Sequence, residues 1–182
     1  MVLYAEIDRQ TAAFAEGTGL ACPPGCGACC LSPEVEATVL EMLPLAQWLV
    51  HEGRGEEVLA DLVRWGIRQC IFYGFQSEDG TLGRCGVYAV RPLLCRLFGF
   101  AAVRDRTGRA QLAACWRHQE TVPEAVDRAR QAIGLGEPVP LFNEWAMRLS
   151  QLDPHYGVER LPINEALGRA IGYYGLWQQM QS

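Results

Sequence analysis

The chain has 182 residues and a formal net charge of −5, with 49% hydrophobic and 20% charged residues. This composition predicts one folded domain over residues 1–182 and excludes disorder of the chain as a whole. The acidic balance predicts no nucleic-acid partner, and the 16 basic residues are all arginine, which excludes a lysine Schiff base or a P-loop lysine.

The first half of the chain is predicted to be mostly helical. Tyr4–Glu16 has helical spacing, and residues 22–30 are rich in Pro and Gly, which favours a loop. Ser32 is typical of a helix N-cap, and Pro44 should end or kink the helix that follows. Another helix is expected from Glu56 to about Gln69.

The second half combines a loop, a hairpin and helices. Phe72–Arg84 is predicted to be a loop. The apolar runs 97–103 and 110–114 flank Asp105-Arg106-Thr107-Gly108, which predicts a β-hairpin with a glycine-containing turn. Pro and Gly residues then delimit three helices, namely Pro123–Ile133, Leu141–Leu152 and Asn164–Met180.

These elements predict an α+β fold that is mostly α, a small helical domain with a β-hairpin around a cysteine-rich irregular metal-binding centre. The cysteine-cluster core covers about residues 22–115, and a helical C-terminal extension covers about 120–180. The N-terminus lacks a basic segment followed by an apolar run, and no stretch is apolar for the ~18 residues of a membrane span. We therefore expect a cytoplasmic protein without a membrane partner.

Cysteine is the residue type that points to a function. The eight cysteines are Cys22, Cys26, Cys29, Cys30, Cys70, Cys85, Cys95 and Cys115. In a reducing cytosol, clustered cysteines more often bind metal than form disulfides. Tetrahedral zinc and iron–sulfur clusters both take four thiolates, so the predicted partner is a metal ion, held as zinc or as an iron–sulfur cluster.

The number of metal centres is open at this level. The side chains of adjacent residues diverge, so Cys29 and Cys30 could serve different centres. Two four-thiolate sites, one site with spare cysteines, and one thiolate-bridged polynuclear site are all compatible with eight thiols. Cations beside thiolates favour the metal-binding form, which makes Arg91 and Arg96 candidates for compensating the charge.

Other residues near the cysteines are weaker candidates. Tyr88 is expected to pack beside the site, where it could donate a hydrogen bond to a sulfur. Among the histidines, His118 lies nearest to a cysteine, in Cys115-Trp116-Arg117-His118. With eight thiols available, a histidine ligand is unnecessary.

Taken together, the cysteines resemble a known family. The segment CPPGCGACC, then Cys70, then CGVYAVRPLLCR from Cys85 to Arg96, and finally Cys115 are similar to the YkgJ-like cysteine-cluster proteins with a CxxCxxCC domain. The resemblance covers about residues 22–115 and implies chelation of zinc or iron. A related cluster occurs in flagellin lysine N-methylases, where an iron–sulfur cluster and S-adenosylmethionine are implicated. This chain has no glycine-rich motif for that cofactor, so the methylase activity is not carried over.

Four hypotheses follow from these residues. The leading one is a metal-binding protein whose cysteine cluster has a structural or accessory role, with a protein partner left open. An iron–sulfur enzyme of redox or methyl-transfer chemistry is the alternative, together with a metal storage or delivery protein. A dithiol redox protein is the weakest, because no cysteine pair opens a helix after a strand.

Overall fold

A computed structural model describes residues 2–66, 69–77 and 82–181. These residues are mostly helical with short antiparallel strand pairs, which confirms the predicted α+β class. The helices are α1 (Val2–Thr18), α2 (Ala28–Leu31), α3 (Val39–His51), α4 (Gly55–Trp65), α5 (Leu93–Leu97), α6 (Trp116–Thr121), α7 (Pro123–Gly134), α8 (Phe142–Ser150), α9 (Pro154–Gly157) and α10 (Ile163–Gln181). The strands are β1 (Glu36–Ala37), β2 (Tyr73–Phe75), β3 (Gly83–Cys85), β4 (Ala102–Arg104), β5 (Ala110–Leu112) and β6 (Leu161–Pro162). None of the helices in these ranges is both long and apolar enough to cross a membrane.

The chain divides into two compact units. Unit 1 comprises residues 1–24 and 93–148, and unit 2 comprises residues 25–92 and 149–182. Both units are therefore discontinuous in sequence, and the division falls within α8.

Unit 1 is organised around the apolar face of α1. Ile7 and Phe14 on this face are buried, and Phe14 joins a core cluster with Leu20 and with residues of α7. The Nε of Arg128 on α7 donates a hydrogen bond of 2.9 Å to the carbonyl of Thr18, which satisfies one of the open carbonyls at the end of α1. Strands β4 and β5 form the predicted hairpin.

Unit 2 is centred on the packing of α3 against α10. The buried side chains at this contact are Met42, Leu45, Ala46 and Leu49 on α3 and Ala166, Leu167, Ala170 and Ile171 on α10. Thr38 caps α3: its Oγ1 accepts from the backbone N–H of Glu41 at 3.1 Å, and the Glu41 carboxylate accepts from the backbone N–H of Thr38 at 3.5 Å. This reciprocal pair is a capping box, which fixes where the helix begins.

Several local predictions were wrong. Ser32 does not begin a helix: its Oγ accepts from the backbone N–H of Glu34 in a turn, and the chain then enters β1, which pairs with β6. Helix α3 continues through Pro44, so this proline does not end it. The cysteine loop contains the short helix α2, and helix α4 ends at Trp65.

The predicted loop 72–84 contains the paired strands β2 and β3, in which Tyr73 faces Cys85 across the ladder. Residues 78–81 of this segment lie outside the described part of the chain, as do residues 67 and 68 of the helix predicted from Glu56 to about Gln69. The first hairpin strand is shorter than expected, since residues 93–97 are helical and Gly99 turns the chain at φ +82°.

Candidate metal centre

Four thiols of unit 2 meet around Cys30. The buried Cys30 thiol lies within hydrogen-bonding reach of the thiols of Cys29, Cys70 and Cys85. These four cysteines come from three separate segments: α2, the residues before β2, and the end of β3. We refer to Cys29, Cys30, Cys70 and Cys85 as the unit 2 cluster.

Hydrogen bonding within the cluster divides the four thiols into two kinds. The bonds to its three neighbours raise the pKa of Cys30 above the ordinary value of 9.0, because it is the proton donor of the group. The same bonds lower the pKa of Cys29 to about 7 and that of Cys85 to about 6, and they also lower the pKa of Cys70. Because Cys30 has a single S–H proton, it stabilises a charge on one neighbouring sulfur at a time, and the thiolate favoured in this way is the form that binds metal.

Arg91 contributes to the electrostatics of the cluster. Three interactions lower the pKa of Cys85. The hydrogen bond from Cys30 has the largest effect, followed by that from the backbone N–H of Val87 and then by the charge of the Arg91 guanidinium. The guanidinium carbon also lies 3.8 Å from the centroid of the Tyr88 ring, while the Tyr88 side chain is largely exposed. Tyr88 and Arg91 therefore form a cation–π pair in the segment that follows β3.

Backbone hydrogen bonds hold the segments of the cluster in place. The N–H of Cys70 donates to the carbonyl of Cys30 at 2.9 Å. The side chain of Asn164 also binds the backbone on both sides of Cys70. Its Nδ2 donates to the carbonyl of Gln69 at 2.8 Å, and its Oδ1 accepts from the N–H of Ile71 at 3.1 Å. Asn164 thereby fixes the Cys70 segment to the start of α10.

Two glycines make room for an aromatic ring next to the cluster. Tyr73 is buried, and a Cβ added to Gly27 would stand 2.3 Å from its ring. A Cβ on Gly83 would stand 2.4 Å from the ring and from its hydroxyl oxygen. We call this arrangement the Tyr73 slot. Because Gly27 precedes α2 and Gly83 begins β3, the slot sets the spacing between the segments that carry Cys29, Cys30 and Cys85.

Three of the remaining cysteines belong to unit 1. The Cys22 Sγ lies 3.4 Å from the Nε2 of His118. Cys115 is buried at the N-terminus of α6, and Cys95 lies on α5. Burial lowers the pKa of His118, and the nearby backbone of Gly99 acts in the opposite direction.

Arg96 and Cys26 occupy different surroundings. The guanidinium of the buried Arg96 pairs with Asp8 and lies 4.8 Å from the centroid of the Tyr4 ring, so that it joins α5 to α1 in unit 1. Cys26 is partly exposed in unit 2, just before α2.

The chemistry of the unit 2 cluster fits a metal that prefers sulfur. Four thiols match the donor set of structural zinc and of iron–sulfur clusters. Within residues 2–66, 69–77 and 82–181, however, no group of three or more His, Cys, Asp or Glu side chains is already arranged as a metal site. The thiols are gathered by shared hydrogen bonds, and side-chain rotation would be needed to bring them to ligand distances.

Comparison with known proteins identifies the family. The model of the CxxCxxCC family, described as a putative zinc- or iron-chelating domain, matches residues 21–121. The chain belongs to this family. The match confirms the resemblance seen in the sequence and supports a metal ion as partner and cofactor. No curated protein and no solved structure matched the chain.

For this CxxCxxCC protein, sequence reasoning missed two residues beside the cluster. Asn164 is 79 residues from the nearest cluster cysteine in sequence, Cys85, and only its position at the start of a helix could have drawn attention to it. Tyr73 gave no signal, because its slot requires Gly27, which is 46 residues away, as well as Gly83. His118 was considered as a ligand for its position after Cys115 and was judged unnecessary beside eight thiols.

Proposed function

We propose that this protein binds a metal ion through the unit 2 cluster and that the metal serves to hold unit 2 together. The observation that carries the proposal is the convergence of three thiols on Cys30. Deprotonation of Cys30 would complete a set of four thiolates, and Arg91 would offset part of their charge. We infer a structural or accessory role, because a site closed by four thiolates leaves no open position for a substrate.

The energetic scale supports a structural role. Zinc binding in small thiolate-containing sites contributes about 10–16 kcal/mol at neutral pH, whereas whole domains are stable by only about 5–15 kcal/mol. A metal at the cluster would join residues 29–30, 70 and 85, three segments that are separated in sequence by β1, α3 and α4 and by β2. We therefore expect unit 2 to lose its fold on metal removal. The proposal also assigns the protein to a reducing compartment such as the cytoplasm, where the thiols stay available.

The experiment compares wild-type protein, purified without air, with three single variants. Cys30→Ser and Cys85→Ser each remove a cluster thiol, while Cys26→Ser removes a nearby thiol outside the cluster and is the matched control. Metal content is measured by elemental analysis and folding by thermal unfolding. We expect the two cluster variants to lose an ion and to unfold at lower temperature, and the control to match the wild type.

Two kinds of result would decide the outcome. If Cys30→Ser and Cys85→Ser keep the wild-type metal content, the cluster is not the site and the proposal fails. The elemental analysis and the visible spectrum of the wild type together identify the metal. A colourless protein that contains zinc would support the structural role. Iron with acid-labile sulfide would favour the iron–sulfur enzyme over the structural role, and binding of S-adenosylmethionine would then be the next measurement.

A further inference from the structure

Unit 1 contains a thiol–imidazole pair with the spacing of metal ligands. The Cys22 Sγ and the His118 Nε2 are 3.4 Å apart, although the residues are 96 positions apart in sequence. Zn–S bonds of about 2.3 Å and Zn–N bonds of about 2.0–2.1 Å at a tetrahedral angle would place the two ligand atoms about 3.6 Å apart. The observed distance is therefore close to one edge of a zinc coordination tetrahedron.

The His118 ring is held so that Nε2 remains available. The side chain is only 1% exposed, and the Phe100 ring packs edge-on against it at a centroid distance of 5.1 Å. The Nδ1 atom is buried beside Gly99 and makes no hydrogen bond of normal geometry there.

Cys115 lies next to the same ring. A Cβ on Gly99 would stand 3.0 Å from the His118 Cε1 and 3.3 Å from the Cys115 Cβ, so both side chains border the same small space. Gly99 also has a φ of +82°, which L-residues with a side chain rarely adopt. Cys115 is the N-cap residue of α6 and has an extended backbone, and His118 lies in the first turn of the same helix.

We propose that Cys22, Cys115 and His118 form a second metal site, selective for a borderline-soft divalent cation such as zinc. Cys95, the remaining thiol of unit 1, lies four residues before Gly99 on α5 and is the proposed fourth ligand. Among the described residues no three of these side chains are already arranged as a metal site, so binding would require side-chain rotation. The donor set of three thiolates and one imidazole is an established one for structural zinc. This site does not depend on the function proposed for unit 2, because it shares no ligand with the unit 2 cluster.

The test counts zinc ions in the full chain. Metal-free protein is equilibrated with Zn²⁺ under reducing conditions, unbound zinc is removed by dialysis, and bound zinc per chain is measured. We expect two ions for the wild type, one for His118→Ala, and two for the control His155→Ala, whose side chain is exposed on α9. The conservative variant His118→Cys should restore two ions, because a thiolate can replace the imidazole as a ligand.

X-ray absorption on Cys85→Ser tests the donor set without altering His118. Zinc retained by this variant should show one nitrogen at about 2.0–2.1 Å among sulfurs at about 2.3 Å. Sulfur-only coordination, or a His118→Ala protein with as much zinc as the wild type, would overturn the proposal. If the unit 2 proposal fails instead, the wild type holds one ion, Cys85→Ser keeps it, and His118→Ala loses it.

Discussion

The Tyr73 slot allows the cluster to be perturbed without touching a thiol. In Gly83→Ala, the added Cβ would stand 2.4 Å from the Tyr73 ring, which is 1.0 Å shorter than the 3.4 Å at which ordinary contact begins. Either the ring or β3 must move, and such overpacking typically costs about 1–3 kcal/mol. Because β3 ends at Cys85, the displacement also strains the cluster geometry.

Gly74→Ala provides the matched control on the paired strand. A Cβ at Gly74 would meet only the carbonyl oxygen of Arg84, at 3.7 Å, which is an ordinary contact. We expect the stability of this variant to change by no more than about 0.5 kcal/mol. The two variants add the same methyl group to the same hairpin, so the difference between them reports on the slot.

Metal affinity is the more informative assay. If metal binding requires the native slot, a strain of about 1–3 kcal/mol lowers the apparent affinity about 5- to 150-fold, since about 1.4 kcal/mol corresponds to a factor of ten. Competition with a chromophoric chelator measures this change, and thermal unfolding of the same samples measures the strain. Equal affinities and unfolding temperatures for Gly83→Ala and Gly74→Ala would refute the slot as the element that positions Cys85.

Three further predictions concern other parts of the chain. Asn164→Ala should destabilise unit 2 by about 1–3 kcal/mol for each backbone group beside Cys70 that loses its partner. Urea unfolding measures this loss, and an unchanged midpoint would contradict the role of Asn164. Thr38→Ala should lower the free energy of unfolding by about 0.5–2 kcal/mol through loss of the α3 cap, whereas Thr38→Ser should retain most of it. Hydrogen bonds to Asp105, of which that from the Thr107 hydroxyl has the largest effect, lower the pKa of its carboxyl below the ordinary 3.8. The hairpin turn should therefore have its full stability above pH 3.8 and lose it as the pH falls through the lowered pKa. The backbone amide shift of Thr107 should titrate accordingly, and a midpoint at or above 3.8 would exclude this explanation.

Elements with strong local signals were predictable from the sequence. The helix over Pro123–Gly134 begins with a proline at its first turn, and the β4–β5 turn carries an aspartate that accepts hydrogen bonds from the backbone two and four residues later. Helix α3 was misplaced at its start because Ser32 and Thr38 are both suitable caps. Only the pairing of β1 with β6, more than 120 residues away, decides between them.

The candidate site was predictable as a set of cysteines but not as an arrangement. The sequence predicts all eight cysteines as ligands, which stays a prediction, and their spacing could not distribute them between units, since that depends on the path of the whole chain. Strands β2 and β3 lacked an apolar alternation, because each contains a glycine, Gly74 and Gly83, and only Gly83 borders the Tyr73 ring. His118 was set aside as a ligand because eight thiols were available. Its burial depends on the packing of unit 1, which the sequence does not show.

The discontinuity of unit 2 has a consequence during synthesis. The cluster thiols have all been translated by residue 85, but Asn164 and the α10 face that packs on α3 follow about 80 residues later. At about 5–20 residues per second, the ribosome needs on the order of 4–16 seconds to supply them. During that interval the nascent thiols are present without their packing partner, so metal loading and oxidation compete for the same sulfurs before the unit can close.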